Sequence, residues 1–133
     1  MPVPRFVFAL PLVAAGVLLP AIGADPATPA AGALGMDHEV FTSEVVQVHQ
    51  GETLTMVNNS RWAHTVGPGR NGHILDEPGV PMAGYTLMET DDVATTGKWN
   101  SPGTFYLTCS VHPRMTVKVI VTECSCCGNG SCG

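Results

Sequence analysis

The feature that most constrains this chain is a set of short stretches in which apolar residues return at every second position. Phe105, Leu107 and Cys109 share one parity, opposite Thr104, Tyr106 and Thr108. Val117, Val119 and Val121 alternate with Thr116, Lys118, Ile120 and Thr122. Val46 and Val48 oppose Gln47 and His49, and Leu54 and Met56 oppose Thr53 and Thr55. A period of two sends successive side chains to opposite faces of an extended strand, so each stretch has one face to bury. Gly, Pro, Asn and Asp separate the stretches, and no long helical pattern follows the N-terminal segment. The pattern predicts an all-β sandwich. Residues 67–81, with many Gly and Pro, read as loop with little regular structure, and Trp99 and Pro102 stand at the entry to the strand that ends in Cys109. The 133 residues suffice for one domain with one core.

The parity of Phe105 and Leu107 points Cys109 inward, where a thiolate is costly unless a metal or a strong hydrogen bond compensates. The residues that follow supply a reason for such a thiolate. Cys109-Ser110-Val111-His112-Pro113-Arg114-Met115 places a thiol, an imidazole and a thioether within seven residues. Soft sulfur ligands with imidazole select copper, and two His, one Cys and a weak axial Met form the blue-copper electron-transfer geometry. A second His must come from elsewhere. His64, in Asn58-Asn59-Ser60-Arg61-Trp62-Ala63-His64-Thr65-Val66, offers it about 45 residues upstream. Taken singly, His64 reads as a loop residue, Cys109 as a small core residue and Met115 as packing. Together, in this strand phase and order, His64, Cys109, His112 and Met115 read as a metal site.

These segments resemble the cupredoxins, the small blue-copper proteins. The C-x-x-H-x-x-M spacing is similar to that of amicyanin and shorter than the plastocyanin loop. Residues 51–59 followed by His64 resemble the strand and loop that present the first His, and residues 101–109 resemble the strand that presents the Cys. The likeness covers roughly residues 36–123 and implies a Greek-key β-sandwich holding one type 1 copper. It implies ligation by His64 and His112 through Nδ1. It also implies that His112 lies near the surface, edge-on to a redox partner, as the place where electrons leave, with Val111, Pro113, Pro81 and Met82 as candidates for an apolar collar. Thr65 and Ser110, each beside a ligand, are the candidates for bracing the site from the next shell of residues. Many cupredoxins carry Asn where this chain has Thr65.

The N-terminal residues read as a secretory signal. Arg5 precedes an apolar run over residues 6–19, and small residues allow cleavage after Gly23 or Ala24. The segment assigned is residues 1–24. An uncleaved anchor is disfavoured because the run is short and Pro11 and Pro20 interrupt it. No Cys lies near it, so a lipidated N-terminal Cys is not expected. Residues 25–35, rich in Ala, Pro and Gly, read as a tether, and the domain is expected over residues 36–123. Export to a periplasm or the extracellular space is the expectation, with no membrane span left after cleavage and a monomeric state.

Residues 124–133 form a Cys-rich tail with Cys124, Cys126, Cys127 and Cys132. In an oxidising compartment these thiols pair, with one another or with another protein. The C-x-C-C spacing also resembles metallothionein clusters, in which thiolates hold Cu(I). A third reading makes the tail incidental, and all three stay open.

Beyond Arg5, five basic residues face eleven acidic ones, which argues against nucleic-acid binding. His38, His49 and His73 and the methionines Met36, Met56, Met82 and Met88 lack ligand spacing and read as surface or core residues. The short sequons Asn58-Asn59-Ser60 and Asn129-Gly130-Ser131 are given no role. Three functions compete on this reading. The leading one is a one-electron carrier serving exported redox partners. The second is a copper store or chaperone using the tail. The third is an enzyme, disfavoured because the chain has no further His cluster and because a Cys109–His112 nucleophile pair has no orienting third group.

Overall fold

The computed structural model describes residues 32–123. The signal segment, most of the tether and the Cys-rich tail lie outside the described residues. Among the described residues nine strands appear: β1 (Ala33–Met36), β2 (Val45–His49), β3 (Thr55–Asn58), β4 (His64–Arg70), β5 (His73–Ile74), β6 (Thr86–Met88), β7 (Val93–Thr95), β8 (Gly103–Cys109) and β9 (Thr116–Thr122). There is no helix among the described residues.

The strands form two sheets. The smaller has the order β1-β3-β7, with β1 parallel and β7 antiparallel to β3. The larger runs β2-β9-β8-β4-β5, and β6 also pairs with β4. Sequence neighbours β2 and β3 therefore lie in different sheets, and β2 meets β9 in parallel at the far end of the chain.

The inward parity of each stretch forms the shared core. Leu34, Met36 and Met56 come from the smaller sheet, and Val46, Val48, Val66, Leu107, Val117, Val119 and Val121 from the larger. Burying each such side chain stabilises the fold by about 1.5–3 kcal/mol. Trp99 is fully buried and packs at a tilt on Phe105, with ring centroids 5.5 Å apart. Its indole N–H donates to Thr96 Oγ1 at 3.0 Å, and the same oxygen accepts from the Leu54 N–H. The one polar atom of this large core residue is thus satisfied.

Two local expectations change. Leu34 and Met36 form a buried face in β1, which begins upstream of residue 36, because an Ala- and Gly-rich context hides a two-point alternation. The segment read as loop from residue 67 is strand as far as Arg70, and its Gly67, Pro68 and Gly69 are buried. Low β-propensity is overridden by close approach. A Cβ on Gly67 would meet the Gly84 carbonyl oxygen at 2.5 Å, so only glycine lets that loop lie against β4. Gly69 has a φ of +135°, which accommodates the tight turn into β5.

Candidate metal centre

The register of two strands assembles the site. β4 and β8 are antiparallel, with Val66 opposite Cys109 and Pro68 opposite Leu107. Cys109 is the last residue of β8 and His64 the first of β4, so both stand at one end of the sandwich. His64 shares the inward parity of Val66, and Val66 faces Cys109. Two residues beyond that pair, His64 lies beside the loop that leaves Cys109 and carries His112.

That loop is braced by its backbone. The Cys109 N–H donates to the Met115 carbonyl at 3.0 Å, and the Met115 N–H donates to the His112 carbonyl at 2.8 Å. Thr108 adds a side-chain bond from its Oγ1 to the same Met115 carbonyl at 2.8 Å and accepts from the Gly72 N–H at 2.9 Å. Thr108 is buried although its parity predicts an outward face, because the β4–β5 turn closes over it. Pro113 stiffens the loop and lies against Gly72, whose added Cβ would meet it at 3.0 Å.

His64, Cys109 and His112 come together. Cys109 Sγ lies 3.7 Å from His64 Nδ1 and 3.8 Å from His112 Nδ1, and the two nitrogens are 3.2 Å apart. A point equidistant from these atoms is about 2 Å from each, the length of a metal–imidazole bond and a little under that of a metal–thiolate bond. Both geometry and donor chemistry therefore fit one soft or borderline metal ion. His64 and Cys109 are fully buried and His112 is half-buried. Burial lowers the pKa of His64, and the neighbouring charges of His112 and His38 lower it further, while the Asp37 backbone acts in the opposite sense. Burial and the neighbouring imidazoles thus disfavour the charged ring, and a metal ligand must be neutral.

Met115 is buried at the foot of the loop, directly before β9. Thr65 and Ser110 are joined through their backbones, the Ser110 N–H donating to the Thr65 carbonyl at 3.0 Å, which ties the His64 strand to the Cys109 loop. Val111 and Pro113 border a surface depression with Glu39, His112 and Arg114. Pro81 and Met82 are not among its lining residues; Met82 packs against the core and Pro81 accepts from the Gly97 N–H. Trp62 stacks on His38 with centroids 4.9 Å apart, and His38 meets His112 edge-on at 6.3 Å. Cys124, Cys126, Cys127 and Cys132 lie outside the described residues. No second group of three His, Cys, Asp or Glu side chains suited to a metal occurs among the described residues. Met36, Met56 and Met88 are core residues, and His49 is exposed.

Sequence reasoning passed over Asn58 and Ser60. Both are buried, and Ser60 Oγ lies 2.9 Å from His64 Nε2 and 2.7 Å from Asn58 Oδ1. The available signal was Asn58 itself, a polar residue on the inward parity of Met56 just before a ligand loop.

No family profile matches the sequence, and no curated protein sequence matches it. Solved structures do match. An amicyanin from Paracoccus versutus is 25% identical, with 74% of this chain and 86% of that chain covered and a TM-score of 0.55. A purple cupredoxin from Nitrosopumilus maritimus is 16% identical, with 68% and 99% covered and a TM-score of 0.55. A copper-containing nitrite reductase from Thermus scotoductus is 20% identical at a TM-score of 0.57, but the match, 78% of this chain, covers only 25% of that one. By strand arrangement and by these likenesses the chain is a cupredoxin in fold, and its paired imidazoles and thiol at His64, His112 and Cys109 fit a type 1 copper site.

Proposed function

We propose that this protein is an exported one-electron carrier that holds a single type 1 copper and cycles between Cu(II) and Cu(I). The observation that carries the reading is the triangle of His64 Nδ1, His112 Nδ1 and Cys109 Sγ, held at metal-binding separations by two paired strands and a braced loop. Copper bound there supplies the one-electron exchange. The chain's residues do the rest. His64 and Cys109 sit within the sandwich, where solvent is excluded. Met115, buried at the end of the same loop, would supply a further weak thioether donor, and Thr65 and Ser110 lock the two ligand segments through their backbones. A scaffold that holds its donors in place alters little between oxidation states, which favours fast transfer.

His112 is the exit. Its half-buried ring is bordered by exposed Val111 and by Pro113, an apolar surface on which a redox protein docks near the metal. The reading assigns no catalysis, no nucleic-acid partner and a monomeric state. No helix among the described residues is long and apolar enough to cross a membrane. The second reading, a copper store or chaperone, is favoured by the four thiols of Cys124, Cys126, Cys127 and Cys132.

Visible absorption and EPR of the Cu(II)-loaded protein, with and without residues 124–132, separate the two. An intense blue band with narrow hyperfine splitting in both forms is expected for the carrier. Colourless protein that takes up Cu(I) only through the tail overturns it in favour of storage or delivery.

A further inference from the structure

We infer that Ser60 is a positioning residue for the metal centre. Its hydroxyl, oriented by Asn58, accepts the Nε2–H of His64 and so keeps the Nδ1 lone pair of that ring facing the metal position. The inference deepens the copper reading and rests on it.

The Asn58 carboxamide has one orientation that satisfies its neighbours. Its Nδ2 lies 2.7 Å from the Trp62 carbonyl, 2.9 Å from that of Glu89 and 3.2 Å from that of Met88. Three acceptors on one side require the NH2 group there, so the atom facing Ser60 is the carbonyl oxygen Oδ1. That oxygen accepts the Ser60 N–H at 2.9 Å and lies 2.7 Å from Ser60 Oγ. Both heavy atoms are oxygens, and Oδ1 has no proton, so the hydroxyl donates.

A serine hydroxyl has one proton, and Asn58 Oδ1 at 2.7 Å is a nearer acceptor for it than the Trp62 carbonyl at 3.1 Å. Its lone pairs remain for donors. The Trp62 N–H approaches one at 3.1 Å, and His64 Nε2 lies 2.9 Å away. With the hydroxyl proton committed to Asn58, Nε2 must be the donor. A neutral imidazole with its proton on Nε2 has a bare Nδ1, the atom that lies 3.2 Å from His112 Nδ1 and 3.7 Å from Cys109 Sγ. The tautomer is therefore set by a chain that begins at three backbone carbonyls and ends at a ligand lone pair.

The chain is closed to water. Asn58 and His64 are fully buried, and Ser60 is 5% exposed. No buried side-chain nitrogen or oxygen among the described residues lacks a partner, so Ser60 has no idle atom that another role would explain. All three residues lie within Asn58-x-Ser60-x-x-x-His64, and the sequon that begins at Asn58 is buried rather than presented for modification. A neutral hydroxyl acceptor also leaves the ring a weaker electron donor than a carboxylate in its place would.

The test uses the full chain as wild type, Ser60→Ala and Ser60→Thr. In the reduced, metal-free protein, histidine nitrogen NMR reports where the His64 proton sits and how fast it exchanges with water. Wild type is expected to carry a slowly exchanging Nε2–H and an unprotonated Nδ1. Ser60→Ala is expected to lose that protection and to admit the Nδ1–H tautomer. Its Cu(II) affinity should fall roughly 10–100-fold, the scale of such outer contacts. Its reduction potential should rise, because a ring without its acceptor donates less to Cu(II). Ser60→Thr, which keeps the hydroxyl, should restore all three. A proton on Nδ1 in wild type, or unchanged exchange, affinity and potential in Ser60→Ala, overturns the inference. The wild-type nitrogen spectrum needs no variant to fold. It also needs no copper, so it judges the hydrogen bond even where absence of a blue band defeats the copper reading.

Discussion

The two halves of the metal centre are built differently. On one side His64 is fully buried at the start of β4 and held by side chains, Asn58 to Ser60 to the ring. On the other side His112 is half-buried in a short loop held by backbone hydrogen bonds, a proline and Thr108. A dry side-chain network fixes ring and tautomer but closes the site to partners. A loop tied by its backbone leaves one ring edge in reach of another molecule. The contrast teaches that the first half sets the ligand and the second half provides access, with Cys109 shared between them.

The largest effect comes from removing what the halves share. Cys109→Ser takes away the thiolate that gives the intense colour, and the blue band should vanish entirely from the visible spectrum of the copper-loaded protein. An equally blue variant would sink the proposed site. The next experiment separates the halves. In His112→Gly, added imidazole can enter at the half-exposed position and is expected to restore the band. In His64→Gly the vacancy is enclosed and the same imidazole should not. Equal rescue of both would break the comparison.

Stability sharpens it further. Asn58→Ala strips partners from several buried backbone and side-chain groups, each worth roughly 1–3 kcal/mol when left unsatisfied, and should cost at least about 3 kcal/mol in denaturant unfolding. Thr108→Val removes the side-chain brace of the loop but leaves its backbone bonds, so about 1–3 kcal/mol is expected. The reverse ranking would mean that the loop, not the buried network, carries the site. The smallest change is expected for Met115→Gln. Copper should be retained and the reduction potential should fall, because an amide oxygen favours Cu(II) more than a thioether does. Voltammetry of the two forms checks this, and a rise in potential would exclude Met115 as a donor to the metal.

Much of the fold is legible in the sequence. The parities of Val46 and Val48, of Phe105, Leu107 and Cys109, and of Val117, Val119 and Val121 are those of the buried faces. Strand β4 was legible only in part, since Gly67, Pro68 and Gly69 look like loop until Gly84 and Ile74 are seen pressed against them. Thr108 was read as outward because parity assigns one face per strand and says nothing of a turn folding over the other. The candidate ligands Cys109 and His112 were legible together because they lie three residues apart. Ser60 was not, because a serine four residues before a histidine has no meaning until both are buried and Asn58 has turned its amide.

What the sequence by itself determined is what local physics dictates: extended stretches with one apolar face, and a thiol, an imidazole and a thioether on a single tight loop. Tertiary structure alone decided which strand pairs with which. The antiparallel register of β4 and β8 brings His64 within 3.7 Å of a sulfur 45 residues away. The reason is that side-chain parity is a property of one strand, whereas register is a property of two, chosen by how all the inward faces pack in one core.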